Sequence, residues 1–183
     1  MNPTLLPDLE VHQVLTGTDA GLAGALAAVS ATWTRPGHGR LAEATRLLAA
    51  SAPRWRPLLG ATPEGARRTR LAWNATAELW LVEWAPGAAT RAHDHHGAAV
   101  ALTVLDGVLV EDCLDATIWT TCRRTTFRAG STATFDPGHV HRLAAADGAP
   151  AASVHAWSPL WPAQSPPAAG TTRIGTVERC SSL

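Results

Sequence analysis

The sequence predicts a mainly β protein, built as a closed barrel or sandwich of short strands and preceded by α-helices. From about Thr69 onward, short apolar runs rich in Val, Leu, Trp and Thr are bounded by Gly, Pro or Asp, which is typical of strands. The Asp106-Gly107 pair is typical of a tight hairpin turn. Many short strands at regular spacing favour a barrel or sandwich over an alternation of strands and helices.

The elements can be placed in order along the chain. Small and apolar residues recur over residues 21–33, and residues 41–50 carry apolar side chains at three- and four-residue spacing, so two helices are predicted. The predicted strands are 78–84, 98–105, 108–113, 116–121, 125–127, 131–135, 139–144 and 151–157. We expect one domain, in which a helical segment (1–66) packs on a barrel (67–161) that is followed by a C-terminal extension (162–183).

The composition narrows the classes of function. The chain has 183 residues with 15 acidic and 15 basic side chains, and no basic stripe is interleaved with aromatic residues, so a nucleic-acid partner is not expected. No apolar run approaches the roughly 20 residues of a membrane span, and the first residues lack the pattern of a signal peptide. The three cysteines show no CxxC spacing, which fits a reduced compartment. We therefore expect a cytoplasmic monomer or small homo-oligomer without a membrane partner.

Several histidines have the spacing of a metal site. Alternate side chains of a strand share a face, so His93 and His95 are expected to point into one space. His141 follows after enough predicted strands to close a barrel and return. Three imidazoles suit iron, copper, nickel or zinc and leave positions open for a substrate and oxygen. His139 shares a strand face with His141 and is a candidate for the pocket mouth, whereas His96 is expected to face away.

The spacing around these histidines also resembles two cupin motifs. Five residues separate Gly87 from His93-Asp94-His95, and the closing glycine is Gly107. The second motif runs from Gly130 through the segment PGHVH at 137–141. The glutamate expected as a fourth ligand falls at Val100. An apolar side chain cannot ligate a metal, so a site of three histidines is expected.

With these motifs the chain resembles the thiol dioxygenases of the cupin superfamily, and cysteine dioxygenase in particular, over about residues 67–159. The segments HDHHGAAVALTVLDGVLVE, GHVHRL and ASVHAWSPL carry the resemblance. It implies a jelly-roll barrel with N-terminal helices and an Fe(II) cofactor, although nickel or zinc could take its place. It also implies an activity, the O2-dependent oxidation of cysteine or a related small thiol carboxylate to the sulfinate.

The resemblance further implies a carboxylate-binding arginine. Arg70 takes that place, with Arg67 or Arg68 as alternatives because the intervening segment is shorter than in better-known members. A guanidinium suits a carboxylate because it offers two parallel donors.

The resemblance implies a relay beside the metal as well. Ser153, His155 and Trp157 match it, but the family has a tyrosine where this chain has Trp157. The family's cysteine for a thioether crosslink falls at Val100, which excludes the crosslink and places Val100 beside the substrate. An indole N–H donates but cannot release a proton as a phenol does, so a specialised variant with an altered substrate or product is one expectation.

Two other interpretations remain open from the residues. A metal on the same histidines could serve as a Lewis acid in a cupin lyase, isomerase or hydrolase. A non-catalytic cupin that binds a small ligand is the other. Oxygen consumption separates the dioxygenase from both.

Overall fold

The computed structural model describes residues 10–11, 36–60, 65–74, 76–115, 117, 120–146, 148–159 and 172–173. Within them, helices α1 (His38–Ala50) and α2 (Ala52–Trp55) and a 3-10 turn (Arg56–Leu58) precede most of the strands. The strands are β1 (Glu10–Val11), β2 (Ala66–Trp73), β3 (Glu78–Trp84), β4 (Ala99–Asp106), β5 (Val108–Leu114), β6 (Thr121–Arg128), β7 (Thr132–Phe135), β8 (His141–Ala145), β9 (Ala151–Ser158) and β10 (Thr172–Arg173).

The strands form two antiparallel sheets that face each other as a jelly roll. The larger sheet has the order β1-β2-β3-β9-β4-β7, with β10 also paired to β2, and the smaller has the order β6-β5-β8. The segment that joins β3 to β4 runs beside β8, with bridges from Ala89 to Ala144 and from His93 to His141. In the part of the chain that the structure describes, no continuous ladder closes the sheets into one barrel.

Apolar cores lie on both faces of the larger sheet. The outer core packs α1 on the sheet and includes Leu41, Leu48, Leu71, Leu79, Leu81, Val154 and Ala156. The inner core lies between the sheets and includes Trp80, Val82, Trp84, Leu102, Val104, Leu109, Phe135 and Leu143. Because both of their faces are covered, β3 and β9 are buried along their whole length.

The predicted fold class is confirmed: the protein is mainly β, a cupin-like jelly roll with a helix packed outside it. The helix predicted at 41–50 begins three residues earlier, and the strand predicted at 78–84 has the observed bounds. The helix predicted at 21–33 lies outside the described residues, as does most of the C-terminal extension. Among the helices that the structure describes, none is long and apolar enough to cross a membrane.

The strand predicted at 116–121 falls partly on residues outside the described part of the chain. Of its described residues, Thr117 lies in a turn, and Thr121 begins β6, where it pairs with Leu114 of β5. Strand β2 was not predicted because the arginines of ARRTRLAW interrupt its apolar pattern.

Gly107 closes the turn between β4 and β5 with a φ of 71°. A Cβ added there would overlap the carbonyl oxygen of Pro150 and lie 2.9 Å from the Cα of Ala151. We expect Gly107→Ala to lower the free energy of unfolding by more than about 2 kcal/mol, because left-handed backbone strain adds to a clash that backbone atoms relieve poorly. Gly130→Ala is the matched control, since its φ is 85° but nothing lies within 4 Å of the added Cβ. Urea unfolding measures both variants, and an equal loss of unfolding free energy in the two would show that the clash contributes nothing.

Candidate metal centre

Three histidine side chains converge where the two sheets meet. His93 and His141 exchange two backbone hydrogen bonds of 2.9 Å each, and His95 is fixed by its N–H, which donates to the carbonyl of Pro137 at 3.2 Å. One ring nitrogen of each histidine lies within 4.8 Å of those of the other two. The Nε2 atoms of His95 and His141 are 3.2 Å apart. This separation fits two nitrogens that share one ion at about 2.1 Å from each.

In all three histidines the other ring nitrogen, Nδ1, is held by an acceptor. The acceptor for His93 is the carbonyl of Arg91 at 2.8 Å, and that for His95 is the carbonyl of Asp136 at 3.1 Å. Nδ1 of His141 donates to a carboxylate at 3.1 Å. A proton on Nδ1 leaves the lone pair on Nε2, so each imidazole turns a metal-binding atom towards the shared space.

Burial favours the neutral form of these imidazoles. It lowers the pKa of His93 and of His95 to about 4. It also lowers the pKa of His141, although the carboxylate partner of that ring acts in the opposite direction. A neutral imidazole is the form that binds metal, so at neutral pH the donor set fits a divalent transition-metal ion.

The HxH pair lies in an irregular segment, whereas the sequence predicted that strand alternation would align its two side chains. His93 forms an isolated bridge, and His96 has a φ of 45°. The Oδ1 of Asp94 accepts the backbone N–H of His96 at 3.0 Å and stabilises this turn. Backbone hydrogen bonds to His141 and Pro137, rather than the alternation of a regular strand, therefore hold the two residues beside His141. His96 itself is exposed, as expected.

Glu111 is a further residue of the site, and the sequence did not single it out. Its Oε1 accepts from Nδ1 of His141 at 3.1 Å and from Nε2 of His139 at 2.6 Å. The side chain is only 1% exposed. Burial alone raises the pKa of Glu111, but the hydrogen bonds from both histidines outweigh it and lower the pKa. His139 is thus bound to Glu111, and its ring stacks on Phe135 with centroids 5.1 Å apart.

We expect Glu111→Gln to weaken metal binding about 10- to 100-fold, because a neutral amide orients and polarises the His141 imidazole less than a carboxylate does. Asp112→Asn is the matched control. Its carboxylate, next in sequence and so on the opposite face of β5, accepts from Arg124 and from Arg142, each at 2.6 Å. Competition titrations with a chromogenic chelator measure both affinities. An unchanged affinity in Glu111→Gln would remove Glu111 from the site.

Facing the histidines, the larger sheet presents its inward side chains in register. The row that crosses β3, β9, β4 and β7 consists of Glu78, Trp157, Val100 and Phe135. The Phe135 ring lies 4.5 Å from that of His141 and 5.8 Å from that of His95, centroid to centroid. Val100 therefore lies between two aromatic neighbours close to the ligands, where it supplies an apolar wall and no donor atom.

The relay residues are brought together on β9. Nε1 of Trp84 donates to Oγ of Ser153 at 3.0 Å, and this Oγ lies 2.9 Å from Nε2 of His155. The His155 ring stacks on Trp157, with centroids 5.2 Å apart and 19° between the planes. The hydrogen bonds from Trp84 through Ser153 fix the orientation of the His155 imidazole, and the Trp157 indole stacks on that ring. Trp84 is a member of this hydrogen-bonded chain that the sequence did not indicate.

Burial, together with nearby positive charge, lowers the pKa of His155 to about 3. An unfolded histidine titrates near pH 6.5, so the unfolded state binds an extra proton between about pH 3 and 6.5. Stability is therefore lost as the pH falls through this window, at about 1.4 kcal/mol per pH unit for this residue. Between about pH 5 and 6, the free energy of unfolding of metal-free His155→Gln should therefore change less with pH than that of the unsubstituted protein, by about this slope. Urea unfolding at the two pH values measures both. An unchanged slope would show that His155 is protonated in the folded protein.

The arginines of β2 divide between the two faces of the sheet. Nε of Arg67 donates to Oε2 of Glu83 at 2.6 Å, and the other oxygen of Glu83 accepts the N–H of Gly60 at 2.9 Å. This outward ion pair joins β2 to the segment after α2. Arg68 and Arg70 lie one and three residues after Arg67, so their side chains point to the opposite, inner face of the sheet. Of the three arginines considered from the sequence, Arg67 is thus directed away from the candidate site.

The two inward arginines differ in their partners. Nη2 of Arg70 lies 3.6 Å from Oε2 of Glu78, and its Cζ is 4.9 Å from the Trp80 centroid. The Cζ of Arg68 is 5.3 Å from the same centroid. Burial lowers the pKa of Arg68, and Glu78 partly offsets this. The charge of Arg68 also contributes to the lowered pKa of His155, so it acts on the same interior as the relay.

A jelly roll that turns three neutral imidazoles towards one space has the arrangement of a metal-dependent cupin, and the fold and the site define that class. The chain belongs to the cysteine dioxygenase type I family, whose model matches residues 41–165, about two thirds of the sequence. The matched region contains most of α1, the three converging histidines and the relay. The resemblance seen in the sequence motifs is confirmed.

Several solved structures, some of them described as cupins, are similar to this chain. The protein TT1209 from Thermus thermophilus is 19% identical with a TM-score of 0.49, and the alignment covers 57% of this chain and 92% of that one. An RmlC-like cupin from Shewanella frigidimarina is 17% identical with a TM-score of 0.46, covering 55% and 82%. A cupin superfamily protein from Desulfitobacterium hafniense is 14% identical with a TM-score of 0.46, covering 55% and 83%. No curated protein matches the sequence. Identities this low say nothing about activity.

Proposed function

We propose that the protein is a non-haem iron thiol dioxygenase that oxidises the sulfur of cysteine or a related small thiol carboxylate to the sulfinate. The observation that carries the proposal is the convergence of one ring nitrogen each of His93, His95 and His141 in a member of the cysteine dioxygenase type I family. Val100 stands where a fourth protein ligand would be, so positions remain open for a substrate and for oxygen.

The three histidines would hold the ion, and an Fe(II) ion bound there would supply the redox chemistry by which dioxygen oxidises a thiolate. In the overall reaction a thiolate and one O2 give a sulfinate, and both oxygen atoms go to sulfur. The protein's own part is to hold three neutral donors in place through the Nδ1 hydrogen bonds. The apolar side chains of Val100 and Phe135 exclude water from one wall of the site.

We assign recognition of the substrate carboxylate to Arg68 in the first place. Glu78, which is 1% exposed, acts on both inward arginines: it lies 3.6 Å from Arg70, the arginine that the family resemblance selects, and its charge raises the pKa of Arg68. The charge of Arg68 also acts on His155, so its guanidinium acts on the interior that contains the relay. Glu78 and Arg70 would then form a fixed polar wall.

Trp157 supports a specialised form of the reaction. Its indole stacks on His155, so the end of the relay is held in place, but it offers no acidic hydroxyl. Without a phenol, position 157 offers no side chain that can release a proton during the reaction. This difference favours a thiol, or a product, other than those of an enzyme that relies on the tyrosine.

The test is the metal content of the purified protein, followed by oxygen uptake with cysteine, 3-mercaptopropionate and bulkier thiol carboxylates. Iron near one per chain, with one O2 consumed per sulfinate formed, is the expected result. A loaded metal without oxygen uptake on any thiol would overturn the proposal. It would then favour a metal-dependent lyase, isomerase or hydrolase, or a ligand-binding cupin.

A further inference from the structure

Two cysteines lie side by side at the edge of the smaller sheet. The Sγ atoms of Cys113 on β5 and Cys122 on β6 are 3.7 Å apart, and the Cys122 thiol also lies 3.3 Å from the carbonyl oxygen of Cys113. The sequence separates them by eight residues, and the turn between the strands brings them together. A disulfide forms between thiols on neighbouring strands when their side chains face each other as these do.

A bulge creates this proximity. Cys113 pairs with Arg123 and Leu114 with Thr121, so Cys122 is the additional residue of β6 at this point. In a regular antiparallel ladder Cys122 would point to the face opposite that of Cys113, because side chains alternate. A bulge turns the extra side chain aside and places its thiol beside Cys113.

One cysteine of the pair lies at the surface, and the other lies next to one of the converging histidines. Cys122 is exposed, whereas Cys113 is half-buried. Cys113 pairs with His141 across β5 and β8, and partners in an antiparallel pair share a face. Burial raises the pKa of the Cys113 thiol, and the hydrogen bond from Cys122 raises it as well. The exposed thiol is therefore the one that meets an oxidant first, and the half-buried thiol is the one that resolves it.

We propose that Cys113 and Cys122 are a modification site, at which a peroxide converts the two thiols into an intramolecular disulfide that thiol reductants reverse. The Cys122 thiolate attacks one oxygen of hydrogen peroxide, which gives a sulfenic acid and hydroxide. The Cys113 thiol then displaces the sulfenic oxygen as water, and the S–S bond forms. Overall, the two thiols lose two protons and two electrons, and the peroxide is reduced to two waters.

This inference does not depend on the proposed oxygenation of a substrate thiol. The disulfide would fix the β5–β6 bulge beside the strand pair that carries His141. Cys180, the third cysteine, lies outside the described residues. Oxidation of Cys180 would show that the peroxide oxidises thiols of the chain without selectivity.

The test oxidises the full-length reduced protein with one equivalent of hydrogen peroxide. In denaturant, the thiol count is expected to fall from three per chain to one, with the loss of two hydrogens in the intact mass. Cleavage before Asp115 separates the two cysteines, so their peptides remain joined until dithiothreitol is added. Reduction should restore all three thiols.

Cys180→Ser is the matched control and should lose both remaining thiols under the same treatment. Cys122→Ser changes an exposed side chain, so it should fold normally and form no internal disulfide. Oxidation of Cys122 to a sulfinate with Cys113 left free would overturn the proposal. A disulfide that includes Cys180, or one that joins two chains, would overturn it as well.

Discussion

Replacing His95 with alanine will abolish stoichiometric metal binding. His95 is 1% exposed, and its Nε2 lies 3.2 Å from that of His141, so its imidazole is held inside the donor set and alanine leaves that position without a nitrogen. Loss of one of three protein ligands leaves two imidazoles, which hold a divalent ion far more weakly than three do. Metal content after purification, and after dialysis against Fe(II) under anaerobic conditions, measures the effect.

His96→Ala is the control for this change. His96 is adjacent in sequence, but its side chain is 60% exposed and lies 3.1 Å from Asp94. It should therefore keep one metal per chain. Circular dichroism shows whether His95→Ala retains the β fold. Full metal occupancy in folded His95→Ala would exclude this residue from the ligand set.

Replacing Arg68 with glutamine is expected to weaken the binding of a thiol carboxylate by about 10- to 100-fold, because a hydrogen-bonded charge pair contributes about 1.5–3 kcal/mol. The proposed carboxylate anchor is then lost, while the three histidines are untouched. The Kd of the substrate, measured on metal-loaded protein without oxygen, should rise. The affinity for 2-aminoethanethiol, a thiol without a carboxylate, should stay nearly constant.

Arg70→Gln and Arg67→Gln complete the comparison. Arg67 lies on the outer face with Glu83, so its replacement should change stability and leave substrate affinity unaltered. Arg70 lies on the same inner face beside Glu78, and if Arg68 binds the carboxylate, replacing Arg70 should affect affinity less than replacing Arg68. A larger effect from Arg70 would assign the carboxylate to that arginine, as the family resemblance alone does.

The fold and the three histidines could be predicted because their signals are local. The HxH pair, the PGHVH segment and the hairpin glycine are short patterns with fixed spacing. Val100 was informative for the same reason, because it occupies the single position at which the motif would have its glutamate. The relay could also be placed, because Ser153, His155 and Trp157 alternate along a single strand.

Other features depend on long-range pairing. Glu111 belongs to the site only because β5 pairs with β8, which brings its carboxylate to the far ring nitrogen of His141. Without β2 assigned as a strand, the faces of the three arginines could not be separated. Carboxylates in largely apolar strands, as in VLVEDCL and ELWLVEW, are a sequence signal for Glu111 and Glu78, but the same signal includes Asp112 and Glu83, which pair with arginines away from the histidines.

The bridge between His93 and His141 has a consequence for the folding equilibrium. It joins β8 of the smaller sheet to the segment that leads into β4 of the larger one, so an ion bound by these residues would link the two sheets. A ligand that binds only the folded form adds about 4 kcal/mol of stability when its free concentration is a thousandfold above its Kd. With a metal bound there, resistance to unfolding and to proteolysis would therefore depend on the metal supply.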